Sequence, residues 1–461
     1  MQVSFAPPVC GPFKRETFGL VSTLLDQGDV SGRRGRESNA RLYSARPRFR
    51  FHLLMRRRRF LTNAALLCAG AASSNLPSQP GNAAPTRLRI VSVEAFPVQL
   101  WADRDPRRAP SFKSDFDPAR WRYRGPFAQL GSAIVVIIRT DQGVTGFGLG
   151  AGGSVSVEII HGHLRHLLVG ANALNIEMLW DQMYTSANAY GRRGVFVMAL
   201  SGVDNALWDI LGKQAGQPVY RLLGGTNKER IASYATGFNL EKALDSGFRH
   251  FKIPIRDGLS EGEDGKRRTV GLLTKAREII GSEKSLMIDC GSRWDEVDYT
   301  IEMARRLEAV NLFWIEEPLS PDNVPGYAEL VREVKSTKIA SGEHEYTRFG
   351  FADLIRRKAV EIVQPDVSWC GGVTSLRRIA AMAAEHNLEF IPHRGGSLYG
   401  LPLALSSPHC RWAESFGTGD NGTELMDAMT APFENGFYSP SEKPGFGTEV
   451  TEQLVKKHAL T

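Results

Sequence analysis

The chain has 461 residues, room for one large or two medium domains, and its 42% hydrophobic and 23% charged content is that of an ordinary globular protein. Its formal charge of +7 is unevenly placed: residues 1–86 hold 13 Lys and Arg against 4 Asp and Glu, which leaves 44 against 46 for the remainder, a balance of −2. Composition therefore gives no support to a basic nucleic-acid face on the folded part, five cysteines without a CxxC pair exclude a disulfide framework, and no apolar run approaches the roughly 18 residues of a membrane span.

Residues 1–86 are Arg-rich, punctuated by Ser, Pro and Gly, and without sustained periodicity. Within them "MRRRRFLTNAALLCAGAASS", from Met55, places an arginine cluster before a short apolar segment and small residues. That order is the pattern of a twin-arginine export signal over about 55–72. It implies a periplasmic protein, with Met55 as the start and the upstream part untranslated. The alternative is a basic arm on a cytoplasmic protein.

From residue 87 to 225 the pattern is that of an α+β domain. "RIVSVEAFPVQL" and "SAIVVIIRTDQGVTGFG" predict antiparallel strands with a turn at Asp141-Gln142-Gly143, and "VMALSGVDNALWDILGKQAG" predicts a long amphipathic helix. Between the strands, "RRAPSFKSDFDPARWRYRG" is polar, aromatic and aperiodic, as a flap would be.

Over 226–415 short apolar strands recur: "IASYAT", "FRHFKIPI", "LMIDC", "LFWIEEP", "KIASGEH", "EIVQPDV", "EFIPH" and "RWAESF". Most gaps between them hold an amphipathic helical stretch. Strands alternating with crossover helices predict an α/β fold, a (β/α)-barrel of the TIM-like type, with a doubly wound open sheet as the alternative. Residues 416–461 form a C-terminal segment.

In such a barrel the functional groups project from the C-terminal ends of the strands. Here strand two ends near Lys252, three at Asp289, four at Glu316, five at Glu343 with His344, six at Asp366, seven at His393 and eight at Glu414. A single strand-end acid is more often solvated or a helix cap, but charge at successive ends of one rim points to a site. Asp289, Glu316 and Glu343 offer only oxygen, which suits a hard octahedral cation such as Mg²⁺, one per subunit. Strand alternation leaves one of Glu316 and Glu317 as a ligand; Glu316 is chosen, and Cys290 is assigned to packing. Asp366 beside His393 would fix the imidazole tautomer and make it a general base.

Taken together, "MIDC", "WIEEP", "ASGEH", "QPDVSWCGGVTSL" and "IPHRGGS", with "LWDQMY" and "SGVDNALWDILGK" upstream and "KPGFGTEV" downstream, resemble the enolase superfamily in its mandelate racemase/muconate lactonizing enzyme branch. Within that branch the pattern is most similar to L-rhamnonate dehydratase and related acid-sugar dehydratases. The resemblance implies a capping domain completed by the C-terminal tail, Mg²⁺ on Asp289, Glu316 and Glu343, a His393/Asp366 dyad, and Glu414 as a hydrogen-bonding partner of an enediolate. It implies proton abstraction α to a carboxylate, loss of the β-hydroxyl and a 2-keto-3-deoxy acid product. Its partner is a small sugar acid, and relatives are homo-oligomers. Lys252 stands where relatives carry a second base, which keeps a racemase or cycloisomerase open. A non-catalytic exported binding protein is the other alternative. His344, Arg394 and the flap arginines Arg122 and Arg124 are candidate substrate-binding groups; Arg394 replaces a small residue of the dehydratases.

Overall fold

The computed structural model describes residues 87–102, 116–117, 122–123, 133–416 and 421–460. The leader, with its export signal, and Arg124 lie outside these residues, as does most of the flap.

Three strands, β1 (Ile90–Val98), β4 (Ala133–Thr140) and β5 (Thr145–Gly150), form an antiparallel meander in the order β1-β4-β5. The two-residue strands β2 (Phe116–Asp117) and β3 (Arg122–Tyr123) pair separately. The turn after β4 is made by Gly143 at φ 79°. On β5 the alternation "GFGLG" clears one face: a Cβ at Gly146 or Gly148 would lie 2.2 Å from Ala206 O or 2.0 Å from Gly202 O. A long helix lies directly against that face.

That helix, α3 (Val195–Ala215), follows α1 (Gly153–Ile159) and α2 (Ile176–Ser186). The sequence predicts it to be amphipathic, but it is buried on nearly every side. The cap sheet covers one face and barrel helix α4 (Gly372–Glu385) covers another, so no solvent face is left. By length and composition α3 also passes as a membrane span, unlike what the sequence reading allowed, but most of it is buried inside this protein.

Three of its polar side chains reach the barrel. Ser201 Oγ accepts from Gly371 N at 2.8 Å, Asp204 Oδ2 from Thr374 N at 2.9 Å and Asn205 Oδ1 from Val373 N at 3.2 Å. Asn205 Nδ2 donates to Leu149 O at 2.8 Å and Val367 O at 3.3 Å. Helix α4 has no side-chain cap of its own, and α3 supplies one from another domain.

Eight parallel strands follow: β6 (Ile231–Thr236), β7 (His250–Pro254), β8 (Ser285–Asp289), β9 (Leu312–Glu316), β10 (Lys338–Ser341), β11 (Ile362–Val363), β12 (Glu389–Phe390) and β13 (Trp412–Ser415). Ladders run unbroken from β12 to β6, and β6 pairs with β13. Between β12 and β13 the ring is closed by Phe390 N donating to His409 O at 3.3 Å and Gly396 N to Glu414 O at 3.0 Å. The fold is the barrel, and an open sheet is ruled out. Inside it, Tyr234, Met287, Trp314, Ala340, Ile362, Ile391 and Trp412 form an apolar plug. Two residues further along their strands, Met287 gives way to Asp289 and Trp314 to Glu316, so strand alternation stacks polar groups on the plug.

The tail returns to the cap. Gly445 O accepts from Val219 N at 2.9 Å, Phe446 N donates to Asp209 Oδ1 at 3.1 Å, and Leu460 N donates to Pro97 O at 2.8 Å. Asn205 holds the cap–barrel junction with bonds that are all buried, so Asn205→Ala should cost about 2–4 kcal/mol in urea unfolding. A loss under about 0.5 kcal/mol, the level of a neutral surface change, would contradict this account of the junction.

Candidate active site

Asp289 and Glu316 end neighbouring strands in register, and Glu343 follows the next strand. One carboxylate oxygen from each of the three lies within 4.8 Å of the others. Glu316 is buried, which pushes its carboxyl well above the ordinary value with Lys252 opposing, and three donors reach it: Lys252 Nζ at 2.6 Å, Gln364 Nε2 at 2.8 Å and Trp314 Nε1 at 3.0 Å. Burial pushes the Asp289 carboxyl up to about 6, with Lys252 opposing and Glu343 and Glu317 adding to the shift. Clustered acids that repel in this way, with an oxygen-only donor set, fit a hard divalent cation.

Glu317 does not follow strand alternation to the outside. The strand ends at Glu316, and Glu317 has φ 41°, which keeps its carboxylate on the same rim. There His344 Nδ1 donates to it at 2.7 Å, so a second grouping, Glu317, Glu343 and His344, is internally bonded. Burial pushes His344 down, but Glu317 outweighs this and holds the imidazole at about 10. Cys290 is wholly buried in the core.

His393 Nδ1 donates to Asp366 Oδ2 at 2.7 Å, while Ser368 N and Oγ occupy the other oxygen at 2.6 and 2.5 Å. A carboxylate only accepts, so the proton sits on Nδ1 and the neutral ring presents a bare Nε2. That atom faces Glu343 Oε2 at 3.5 Å and Glu414 Oε2 at 3.8 Å. Burial pushes the imidazole down, but Glu343, Glu414 and Asp366 outweigh it and hold it at about 9. A dication on the triad would offset that negative field and bring the ring back toward neutrality, where Nε2 can take a proton.

Lys252 is brought to the site as a caged ammonium. It lies between Glu316 Oε1 at 2.6 Å and Glu414 Oε1 at 2.8 Å, fully buried. Burial lowers its affinity for a proton, yet the two glutamates hold it well above the ordinary lysine value. Glu414 also accepts from Thr236 Oγ1 at 2.6 Å and Arg394 N at 2.9 Å. Burial pushes Glu414 up, but Lys252 and His393 bring it down to about 2. As placed it is an acceptor with no proton to donate. Arg394 stands beside the dyad, Nε 3.8 Å from Asp366 Oδ2. Arg122 falls on the short strand β3, but its side chain, like Arg124, is outside the description.

Gln364, Trp314 and Trp369 were missed by sequence reasoning. The first two lie two residues before Asp366 and Glu316, and period-two alternation alone would have put them on the same face. Trp369, whose ring lies 5.4 Å from those of both His344 and His393, sits on a loop with no such signal.

Residues 126–224 match the N-terminal domain model of mandelate racemase/muconate lactonizing enzyme, and residues 237–454 match the enolase C-terminal domain-like model. The chain belongs to the mandelate racemase/muconate lactonizing enzyme branch of the enolase superfamily. It is an enzyme. It is 38% identical over 334 residues to the Caldivirga maquilingensis protein named "Putative L-rhamnonate dehydratase", covering 71% of this chain and 83% of that one. The crystal structure of rhamnonate dehydratase from Gibberella zeae complexed with Mg superposes with a TM-score of 0.72 at 31% identity, covering 81% of this chain and 96% of that one. A racemase from Streptomyces coelicolor with bound magnesium gives a TM-score of 0.67 at 28% identity, covering 80% and 100%.

Losing a partner outside the ligand set costs about 10–100-fold in metal affinity. Calorimetric titration with Mg²⁺ should therefore show losses beyond about 100-fold for Asp289→Asn and Glu343→Gln, and a smaller one for Glu317→Gln. A larger loss for Glu317→Gln would move the ion to the other grouping.

Proposed function

We propose that this enzyme is a Mg²⁺-dependent acid-sugar dehydratase, a hydro-lyase that converts a sugar acid to a 2-keto-3-deoxy acid. The observation that carries the reading is an asymmetry among the described residues: His393 Nε2 makes no hydrogen bond and becomes a base once a dication offsets its acidic surroundings, while the ammonium of Lys252 is committed to two carboxylates. Dehydration needs one base that later serves as an acid, whereas racemisation needs a base on each face of the α-carbon.

Asp289, Glu316 and Glu343 would hold Mg²⁺, which supplies positive charge to offset the second negative charge that builds on the substrate carboxylate. Asp366 keeps His393 in one tautomer and favours the imidazolium. Nε2 takes the α-proton as the C–H bond breaks and its electron pair moves onto the carboxylate. The same nitrogen then returns that proton to the β-hydroxyl, the C–O bond breaks, water leaves, and the enol tautomerises to the ketone. Lys252 fixes the carboxylates of Glu316 and Glu414 and keeps its own proton. The apolar plug beneath excludes water from below and so strengthens every charge interaction at the rim.

The names of the relatives support the acid-sugar substrate, although a racemase also stands among the structural neighbours. The proposal is tested by α-proton exchange in deuterated water with both C2 epimers of an accepted acid. His393→Asn should abolish exchange with both. Exchange that persists for one epimer would require a second base, with Lys252 next to replace, and would turn the reading toward racemisation.

A further inference from the structure

Beside the base stands a guanidinium that the reaction above does not use. Arg394 has φ 55°, a backbone conformation that glycine adopts freely and a side chain resists, and its N–H is held by Glu414 Oε2 at 2.9 Å. The side chain is one-third exposed, at 34%. Its nearest acid is Asp366 at 3.8 Å, beyond hydrogen-bond distance, and both oxygens of that carboxylate already accept from His393 and Ser368. The guanidinium carbon lies 5.4 Å from the Trp369 ring and 5.8 Å from the Phe416 ring. Among the described residues no acceptor meets its N–H edge, and the buried Trp369 Nε1 close by has no partner either.

A guanidinium held by aromatic rings with its donor edge unfilled matches a planar anion with two oxygens. The reacting carboxylate of the substrate belongs with the acidic triad, so this edge faces another part of the molecule. We propose that the substrate is a sugar diacid, and that Arg394, held against Trp369 and Phe416, binds its second carboxylate and sets specificity. The inference rests on the dehydratase reading of the same site. An uncharged polyol tail would give the arginine no counter-charge and leave a strained residue without return.

The test compares diacid and monoacid partners of the same configuration across the hexose series, such as glucarate with gluconate and galactarate with galactonate, by kcat/KM with Mg²⁺. In parallel, calorimetry compares binding of 2-oxoglutarate with that of 2-oxopentanoate. The wild type should favour the diacid by at least about tenfold in both measurements, as a charge-assisted bidentate contact supplies. Arg394→Gly, which suits the left-handed backbone, should bring both ratios to about one, and Arg394→Lys should retain part of them. Equal or better use of monoacids by the wild type, or ratios unchanged in Arg394→Gly, would overturn the assignment. A 2-oxoglutarate preference lost in the variant, with no acid sugar turned over, keeps Arg394 and rejects the reaction; turnover without a diacid preference does the reverse.

Discussion

Asp289, Glu316, Glu317, Glu343, Asp366 and Glu414 crowd one end of a barrel, and their mutual repulsion is the constraint around which the site is arranged. Four of the six are met by a basic side chain. Lys252 spans Glu316 and Glu414, His344 takes Glu317, and His393 takes Asp366. Asp289 and Glu343 are left for a cation, which would share Glu316 with Lys252, Gln364 and Trp314. The division has a chemical consequence, since a lysine locked into this balance cannot give up its proton, whereas a histidine with one nitrogen anchored keeps the other free.

The cap reaches the chemistry through one loop. Asp366 O accepts from both Trp369 N at 3.1 Å and Cys370 N at 2.8 Å, and the next residue, Gly371, is held by Ser201 Oγ on N–H and by Trp180 Nε1, at 2.7 Å, on its carbonyl. The loop that carries Asp366, the partner of His393, and the helix that follows it are thus pinned by side chains of α2 and α3. Loosening that junction would therefore disturb the dyad as well as stability.

Much of this was legible in the sequence, because it depends on local periodicity. The eight strands and the acids at their ends follow from alternation and spacing, whereas the returning tail is implied only by the family resemblance. The rest depends on partners distant in the chain. Nothing near Lys252 announces that Glu316 and Glu414 will enclose it. The helix at 195–215 reads as one-sided until a sheet and a barrel helix cover it from different directions. Glu317 departs from alternation because the strand has already ended in a left-handed residue, and Trp369 joins the site from a loop whose path is set by the cap.

We propose that these residues remove an α-proton and then expel the neighbouring hydroxyl. The most direct measurement is to incubate the protein with Mg²⁺ and a panel of acid sugars in deuterated water and to identify products by mass spectrometry and NMR. Dehydration should give a stereochemically restricted set of 2-keto-3-deoxy acids carrying one solvent-derived deuterium at C3, lost when EDTA removes the metal. Recovery of C2 epimers with all hydroxyls retained would contradict it.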